Sequence, residues 1–345
     1  MSDDCVRAWT EGRTGRLTLD RPKALNALNR AMVNRIDAAL TDWEHDPAVE
    51  SVVLTGAGDR GLCAGGDIRM IYEDVRAGGT ASEGFWRDEY RLNARIARYP
   101  KPYIALMDGI VMGGGVGVSA HGGVRVVTER SRVAMPETAI GFVPDVGGTH
   151  LLGRAPGELG LHLALTGTAV GAADALLCGL ADHFVPSDRL PGLVADLARQ
   201  PVADALRAHT AQAPAGVLAA QREWIDHCYA ARTAEEIIER LSAVGVPDAK
   251  ETAGTLLSRS PTAVKVTLAA VRRARELGTL ERVLEQEFRV SCAALTSPDF
   301  TEGIRAQVID KDRNPRWSPA ELAGVTGERV AGFFAPLGAA ELSLP

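Results

Sequence analysis

GIVMGGGVGVSAHGGVRVVTERSRVAMPETAIGFVPDVGG, the stretch Gly109–Gly148, joins a glycine run to two isolated acids, Glu137 and Asp145, each placed directly after a proline. Gly113, Gly114 and Gly115 carry no Cβ, so a bound carbonyl can come close to the main chain there and be polarised by an amide N–H. Two carboxylates in different surroundings can divide the work of base or nucleophile and of proton donor. The stretch therefore points to chemistry at an acyl carbon.

Working outward, YIALMD (Tyr103–Asp108) reads as a strand before the glycine run and VRVVT (Val124–Thr128) as a strand after it. Upstream, Arg16–Asp20 and SVVLT (Ser51–Thr55) read as short strands, with Val33, Ile36, Leu40 and Trp43 recurring at helical spacing between them. A further helical stretch covers about Phe85–Arg98. Strands alternating with helices predict an α/β domain. A second glycine loop, GLCAGGDIRM (Gly61–Met70), follows SVVLT after a turn-rich GAGDR and places Gly65 and Gly66 at the carboxyl end of that strand, where open α/β sheets bind ligands. The glycine run stands in the same relation to YIALMD. Two such loops can aim two N–H groups at one oxygen, each donor worth roughly 3–4 kcal/mol to a tetrahedral intermediate.

Past about Pro186 strand signals fade and helices dominate. Ser260 and Pro261 supply a cap and first turn for a helix ending near Gly278, and a second apolar-periodic segment runs to about Leu295. With no low-complexity linker, the expected organisation is a core over 1–185 carrying the glycine loops and a mainly helical region over 186–345 packed on it.

A chain of 345 residues, 24% charged and 46% hydrophobic, is long enough to bury a sizeable core. Its net charge of −6 argues against nucleic acid or an anionic membrane as the principal partner, so an anionic ligand must be met by local Lys and Arg. The five cysteines are far apart and form no CxxC pair, which fits a reducing cytoplasm. MSDDCVRAWTEGRTGR has no charged-then-apolar signal, and no run approaches the ~18 apolar residues of a membrane span, so a cytoplasmic protein without a leader is expected. The seven histidines include no HExxH or other close pair, and no metal is expected. GVGVSA (Gly115–Ala120) matches a permissive dinucleotide fingerprint but lacks the acid expected about twenty residues on. Ser119 lies in GVSAH rather than GxSxG, and Cys63 reads as a small packing residue.

GLCAGGDI, YPKPYIALMDGIVMGGGVG and MPETAIGFVPDVGGT resemble the enoyl-CoA hydratase/isomerase (crotonase) superfamily, and the match covers most of the chain. The resemblance implies a crotonase-like ββα spiral with a helical C-terminal region, in which the amides of Gly66 and Gly114 form an oxyanion hole for a thioester. It implies that RPKALNAL (Arg21–Leu28) wraps CoA, with Lys23, Ala24 and Leu25 as substrate contacts, and that Arg69 meets the nucleotide end. FWRDEYRLN (Phe85–Asn93) and DFTEGIRAQVIDKDRNPRW (Asp299–Trp317) narrow the resemblance to a branch that hydrolyses short branched 3-hydroxyacyl-CoA thioesters. In that branch the catalytic acids fall on Glu137 and Asp145, and Glu89 matches a further substrate-site acid. Hydratases that use two glutamates place one shortly after the GGG run, whereas this chain has Gly117 at the matching position.

The implied reaction has Glu137 attack the acyl carbon to form a mixed anhydride, or act as general base for water; both remain open. Asp145 would hold the 3-hydroxyl or assist proton transfer, with Glu89 sharing that task. CoA is part of the substrate, so no separate cofactor is expected. Related folds form trimers or paired trimers, which makes a homo-oligomer, trimer or hexamer, an expectation too.

Plainer readings stand beside these. Glu137 after Pro136 is a good first-turn helix acid, Asp145 in PDVGG a good N-cap, and Glu89 a solvated acid on a charge-rich helix. Arg272, Arg273 and Arg275 read as a solvated face, and DKDRNPRW as a turn anchoring Trp317. Two other functions stay open: a hydratase or isomerase of the same fold, and a CoA-binding module without turnover.

Overall fold

The computed structural model describes residues 5–344; residues 1–4, the start of the stretch read above for a signal, and residue 345 lie outside it. Its strands are β1 (Val6–Glu11), β2 (Thr14–Leu19), β3 (Ser51–Gly56), β4 (Gly61–Cys63), β5 (Tyr103–Met107), β6 (Ile110–Met112), β7 (Val124–Val127), β8 (Arg132–Ala134) and β9 (His183–Phe184). The helices that bear on the site are α1 (Arg30–Glu44), α2 (Ile68–Arg76), α3 (Ala81–Ala97), α4 (Gly114–Gly117) and α5 (Gly148–Gly153). The α/β class and its strand and helix order follow the sequence expectation, with β1 and the short β4, β6, β8 and β9 added. The chain divides into two compact units built from interleaved segments: Met1–Gly66, Asp88–Val133 and Val170–Gly216 in the first, and Asp67–Arg87, Ala134–Ala169 and Val217–Pro345 in the second.

In the first unit, Val52–Leu54 and all of β5 are buried, the pattern of parallel strands covered on both faces. They lie in the middle of a six-stranded sheet of order β1-β2-β3-β5-β7-β9, antiparallel only at the β1 edge. One face is covered by α1, whose Trp43 ring lies so close to β2 that a Cβ on Gly15 would stand 2.5 Å from it. On the opposite face Val53, Ile104, Leu106 and Val126 pack with Leu193, Leu197 and Leu206, which come from the helices Leu190–Leu197 and Val202–His209. Each such side chain contributes about 1.5–3 kcal/mol on burial. The parallel register of β3 and β5 sends both glycine loops out from the same end of the sheet, and their first segments pair again as β4 and β6 in a second, three-stranded sheet.

The second unit is mainly helical. Ser260 accepts the Ala263 N–H at 3.0 Å, Pro261 occupies the first turn, and the helix Pro261–Leu277 ends at Gly278 with φ 77°, as the sequence predicts. Leu280–Leu295 follows, and both helices pack against α5. Of the three arginines expected on a solvated face, Arg273 and Arg275 are exposed and Arg272 is half-buried, and all three are also tied into this unit. Arg272 donates to the carbonyls of Arg232 and Ala231, Arg273 to Gln286 at 2.9 Å, and Arg275 to Glu158 at 2.9 Å and the Gly153 carbonyl at 3.2 Å. They close off carbonyls and acids of neighbouring segments, which their sequence spacing alone did not reveal. Trp317 donates its indole N–H to the Ser258 carbonyl at 3.0 Å, in keeping with an anchored turn. No described helix is long and apolar enough to cross a membrane.

Candidate active site

The residues singled out in the sequence fall in both units, and each set is built by its own local structure. In the first unit the glycine run turns sharply at Gly113 (φ 49°, ψ −121°), a conformation a side chain would resist, and Gly114 then opens α4. The first N–H groups of a helix have no partner within it, so the chain at Gly114 presents donors at the end of β6. An ideal Cβ on Gly114 would lie 2.5 Å from Glu89 Oε1, 3.3 Å from the Gly66 nitrogen and 3.3 Å from Leu28 Cδ1. The two glycines and Glu89 are thus brought to one point. Glu89, only 1% exposed, is not the solvated acid that its charge-rich neighbours suggest. Cys63 packs beneath this loop; burial pushes its thiol up to about 12, which suits a packing role.

RPKALNAL forms a short turn over Pro22–Ala24, with Lys23 and Ala24 exposed and Leu25 half-buried. Its anchor is Asn26, which sequence reading passed over. Buried and at φ 55°, a left-handed conformation asparagine tolerates, Asn26 accepts the Arg21 N–H at 2.9 Å and donates to the carbonyls of Ala57 and Gly61 at 3.0 and 3.2 Å. Ala64 N–H to the Leu25 carbonyl and Leu28 N–H to the Gly65 carbonyl, 3.0 and 2.8 Å, lace the turn to the Gly61–Met70 loop. Asn26→Ala is expected to cost about 2–3 kcal/mol in urea unfolding, from three lost hydrogen bonds of roughly 1 kcal/mol each, and to raise KM for a CoA thioester.

In the second unit Glu137 opens a single 3-10 turn, Glu137–Ile140, after Pro136, so the first-turn-acid reading describes its local setting; it is only 7% exposed. The turn is held by Thr138, whose hydroxyl donates to the Leu165 carbonyl at 3.1 Å, and by Phe142, which stacks on both Trp86 (5.3 Å between centroids) and Phe300 (4.8 Å). Gly141, at φ 71°, lies so near the Asp299 carbonyl that a Cβ there would stand 2.4 Å from it. Arg69, exposed on α2, donates to the Val308 carbonyl at 2.9 Å.

Asp145 is 5% exposed and is not the N-cap that PDVGG suggests: α5 starts at Gly148, its N-cap residue is Gly147, and no side chain of that residue caps it. Glu287, 1% exposed, accepts the Gly147 N–H at 2.6 Å, the Thr149 N–H at 2.9 Å and the Thr149 hydroxyl at 2.6 Å. Its sequence signal was available. Leu280, Val283, Leu284, Glu287, Phe288 and Ser291 share one helical stripe, and a charge on an otherwise apolar stripe marks a buried acid with partners.

Burial pushes the Glu287 carboxyl up to about 8 from 4.5; the Thr149 and Gly147 donors oppose this, and the Asp145 charge adds to it. The folded state therefore holds a proton that the unfolded chain releases above its lower value. That contribution to stability is complete below the unfolded value of 4.5 and is lost as pH rises through about 8. Wild-type stability in urea should fall between about pH 5 and about pH 9, and Glu287→Gln should flatten that part of the profile. An unchanged slope would contradict the assignment.

The model of the enoyl-CoA hydratase/isomerase family matches residues 14–334, and the chain belongs to that family. The mitochondrial 3-hydroxyisobutyryl-CoA hydrolase of Xenopus tropicalis is 43% identical to it over 96% of this chain and 89% of that protein. The Homo sapiens protein of the same name is 42% identical with the same coverage, 96% and 89%. Among solved structures, a carnitinyl-CoA dehydratase from Mycobacterium thermoresistibile superposes with a TM-score of 0.96 at 53% identity, covering 99% of both chains. An enoyl-CoA hydratase from Rhodobacter sphaeroides 2.4.1 gives 0.93 at 46% identity, covering 99% of this chain and 100% of that one. The fold is that of the crotonases.

Proposed function

We propose that this chain hydrolyses a short branched 3-hydroxyacyl-CoA thioester, with 3-hydroxyisobutyryl-CoA as the substrate and 3-hydroxyisobutyrate and CoA as products, a step of valine breakdown. The amides of Gly66 and Gly114 take the thioester oxygen as it becomes an oxyanion. Glu137 attacks the acyl carbon, or draws the proton from the water that does; the carbon–sulfur bond breaks and the thiolate leaves with a proton as CoA. Where Glu137 attacks, water then cleaves the mixed anhydride and frees the Glu137 carboxylate; on either route water supplies the oxygen that turnover places in the free acid. Asp145 holds the 3-hydroxyl, Glu89 assists from beside Gly114, and Lys23, Ala24, Leu25 and Arg69 hold the CoA portion. The reaction as written needs no cofactor beyond the CoA of the substrate.

One observation carries hydrolysis over hydration: position 117 is a buried glycine of α4. No carboxylate stands there to partner Glu137 in adding water across a double bond. The names of the two solved structures at 53% and 46% identity favour the second reading, a hydratase or dehydratase. A panel of acyl-CoA thioesters assayed for free thiol separates the two. The hydrolase releases thiol from 3-hydroxyisobutyryl-CoA; a hydratase changes the absorbance of an enoyl thioester and leaves the thiol capped. Turnover of unbranched or unsaturated chains alone would overturn the substrate assignment. The five cysteines, none in a disulfide, support a reducing compartment such as the cytoplasm, although the curated relatives are named mitochondrial. A trimer or hexamer is the assembly to look for by light scattering.

A further inference from the structure

We infer that Glu287 is a positioning residue for Asp145, acting through the strained turn that separates Asp145 from α5, and this rests on the hydrolase reading above. Val146 has φ 52° and Gly147 φ 78°, two successive left-handed residues. For a β-branched residue that backbone is an outlier, and such conformations persist only where the surroundings hold them. The holding groups are identifiable. The Gly148 N–H closes the turn onto the Asp145 carbonyl at 2.6 Å, and the Glu287 carboxyl group spans the far side, one oxygen on the Gly147 N–H at 2.6 Å and the other on the Thr149 N–H and hydroxyl at 2.9 and 2.6 Å. Glu287 itself stands on a helix fixed by buried Val283, Leu284, Phe288 and Val290. A helix start needs only one capping acceptor; here the two oxygens of a buried acid hold Gly147 and Thr149, directly after the strained Val146 that follows Asp145. Because the direction of the Asp145 side chain follows the dihedrals of this turn, the clamp on Gly147 and Thr149 sets where that carboxylate points.

Glu287→Gln keeps the shape but can present its single carbonyl oxygen to only one end of the clamp; with Thr149 satisfied, the amide NH2 faces the Gly147 N–H. The readout is the ratio of kcat/KM for 3-hydroxyisobutyryl-CoA to that for isobutyryl-CoA, which lacks the hydroxyl assigned to Asp145. Glu287→Gln should lower this ratio about 10²-fold, as should Asp145→Asn, through kcat on the hydroxylated substrate. Adding Val146→Gly, which removes the strain the clamp resists, should restore much of it. A variant that loses thermal stability but keeps the wild-type ratio would overturn the inference and leave Glu287 a structural acid. Should Glu287→Gln fail to fold, Glu287→Asp, which keeps both oxygens one methylene short, must still lower the ratio. If the wild-type protein releases thiol from no thioester, the hydrolase reading fails by itself. A crystal structure of Glu287→Gln then decides the inference: a displaced Asp145 turn supports it and an unmoved one refutes it.

Discussion

Glu137→Gln is expected to lower thiol release from 3-hydroxyisobutyryl-CoA by about 10²–10⁴-fold while CoA binding stays close to wild type. The substitution conserves volume in a buried turn whose neighbours are fixed by Thr138 and the Trp86–Phe142–Phe300 stack. The fold has little reason to respond. An amide, however, neither attacks an acyl carbon nor accepts a proton from water at neutral pH, so both versions of the mechanism lose the same group. The residues assigned to CoA, Lys23, Ala24, Leu25 and Arg69, are untouched. Single-turnover thiol trapping together with calorimetric titration of CoA checks both halves. Retention of thiol release within a few-fold would remove Glu137 from the chemistry, and loss of both activity and CoA binding would show a folding defect instead.

Gly114→Ala should have a comparable effect for a steric reason. The added carbon would stand 2.5 Å from Glu89 Oε1 and 3.3 Å from the Gly66 nitrogen, at the point where the proposed mechanism holds the thioester oxygen. Glu89 is the flexible end of a side chain and can yield, so stability should change little. The entry to the amide pair is nonetheless filled. A loss of about 10²–10³ in kcat is expected, the cost of one oxyanion donor. Gly115→Ala is the contrast. Its Cβ would meet the Cys63 carbonyl at 2.4 Å, a backbone atom that cannot give way, so that variant should lose stability first, by thermal melting. Equal behaviour of the two variants would mean that Gly114 is only a packing glycine.

Much of this was legible in the sequence because the signals are local. The apolar runs of β3 and β5, the glycine loops behind them and the Ser260–Pro261 helix start all declare themselves within a few residues. What was not legible depends on distant partners. Asp145 reads as an N-cap because PDVGG has the right local form, yet the acceptor at α5 comes from Glu287, 140 residues away from Gly147. Glu89 reads as solvated from its charged neighbours, because the spacing alone does not say that its face of α3 is buried. β1 is largely exposed and polar, an edge strand without alternation, and gave no period to detect. α4 hides in a glycine run that no helix propensity would choose; the turn is imposed by packing, as the contact of Gly115 with Cys63 shows.

The most direct test is the mass of what 3-hydroxyisobutyryl-CoA becomes when the protein is incubated with it in ¹⁸O-labelled water. Free CoA and a 3-hydroxy acid carrying the label in its carboxyl group are predicted, with neither formed by Glu137→Gln. An intact CoA thioester lighter by one water, the mark of dehydration at the hydroxyl, would contradict the account.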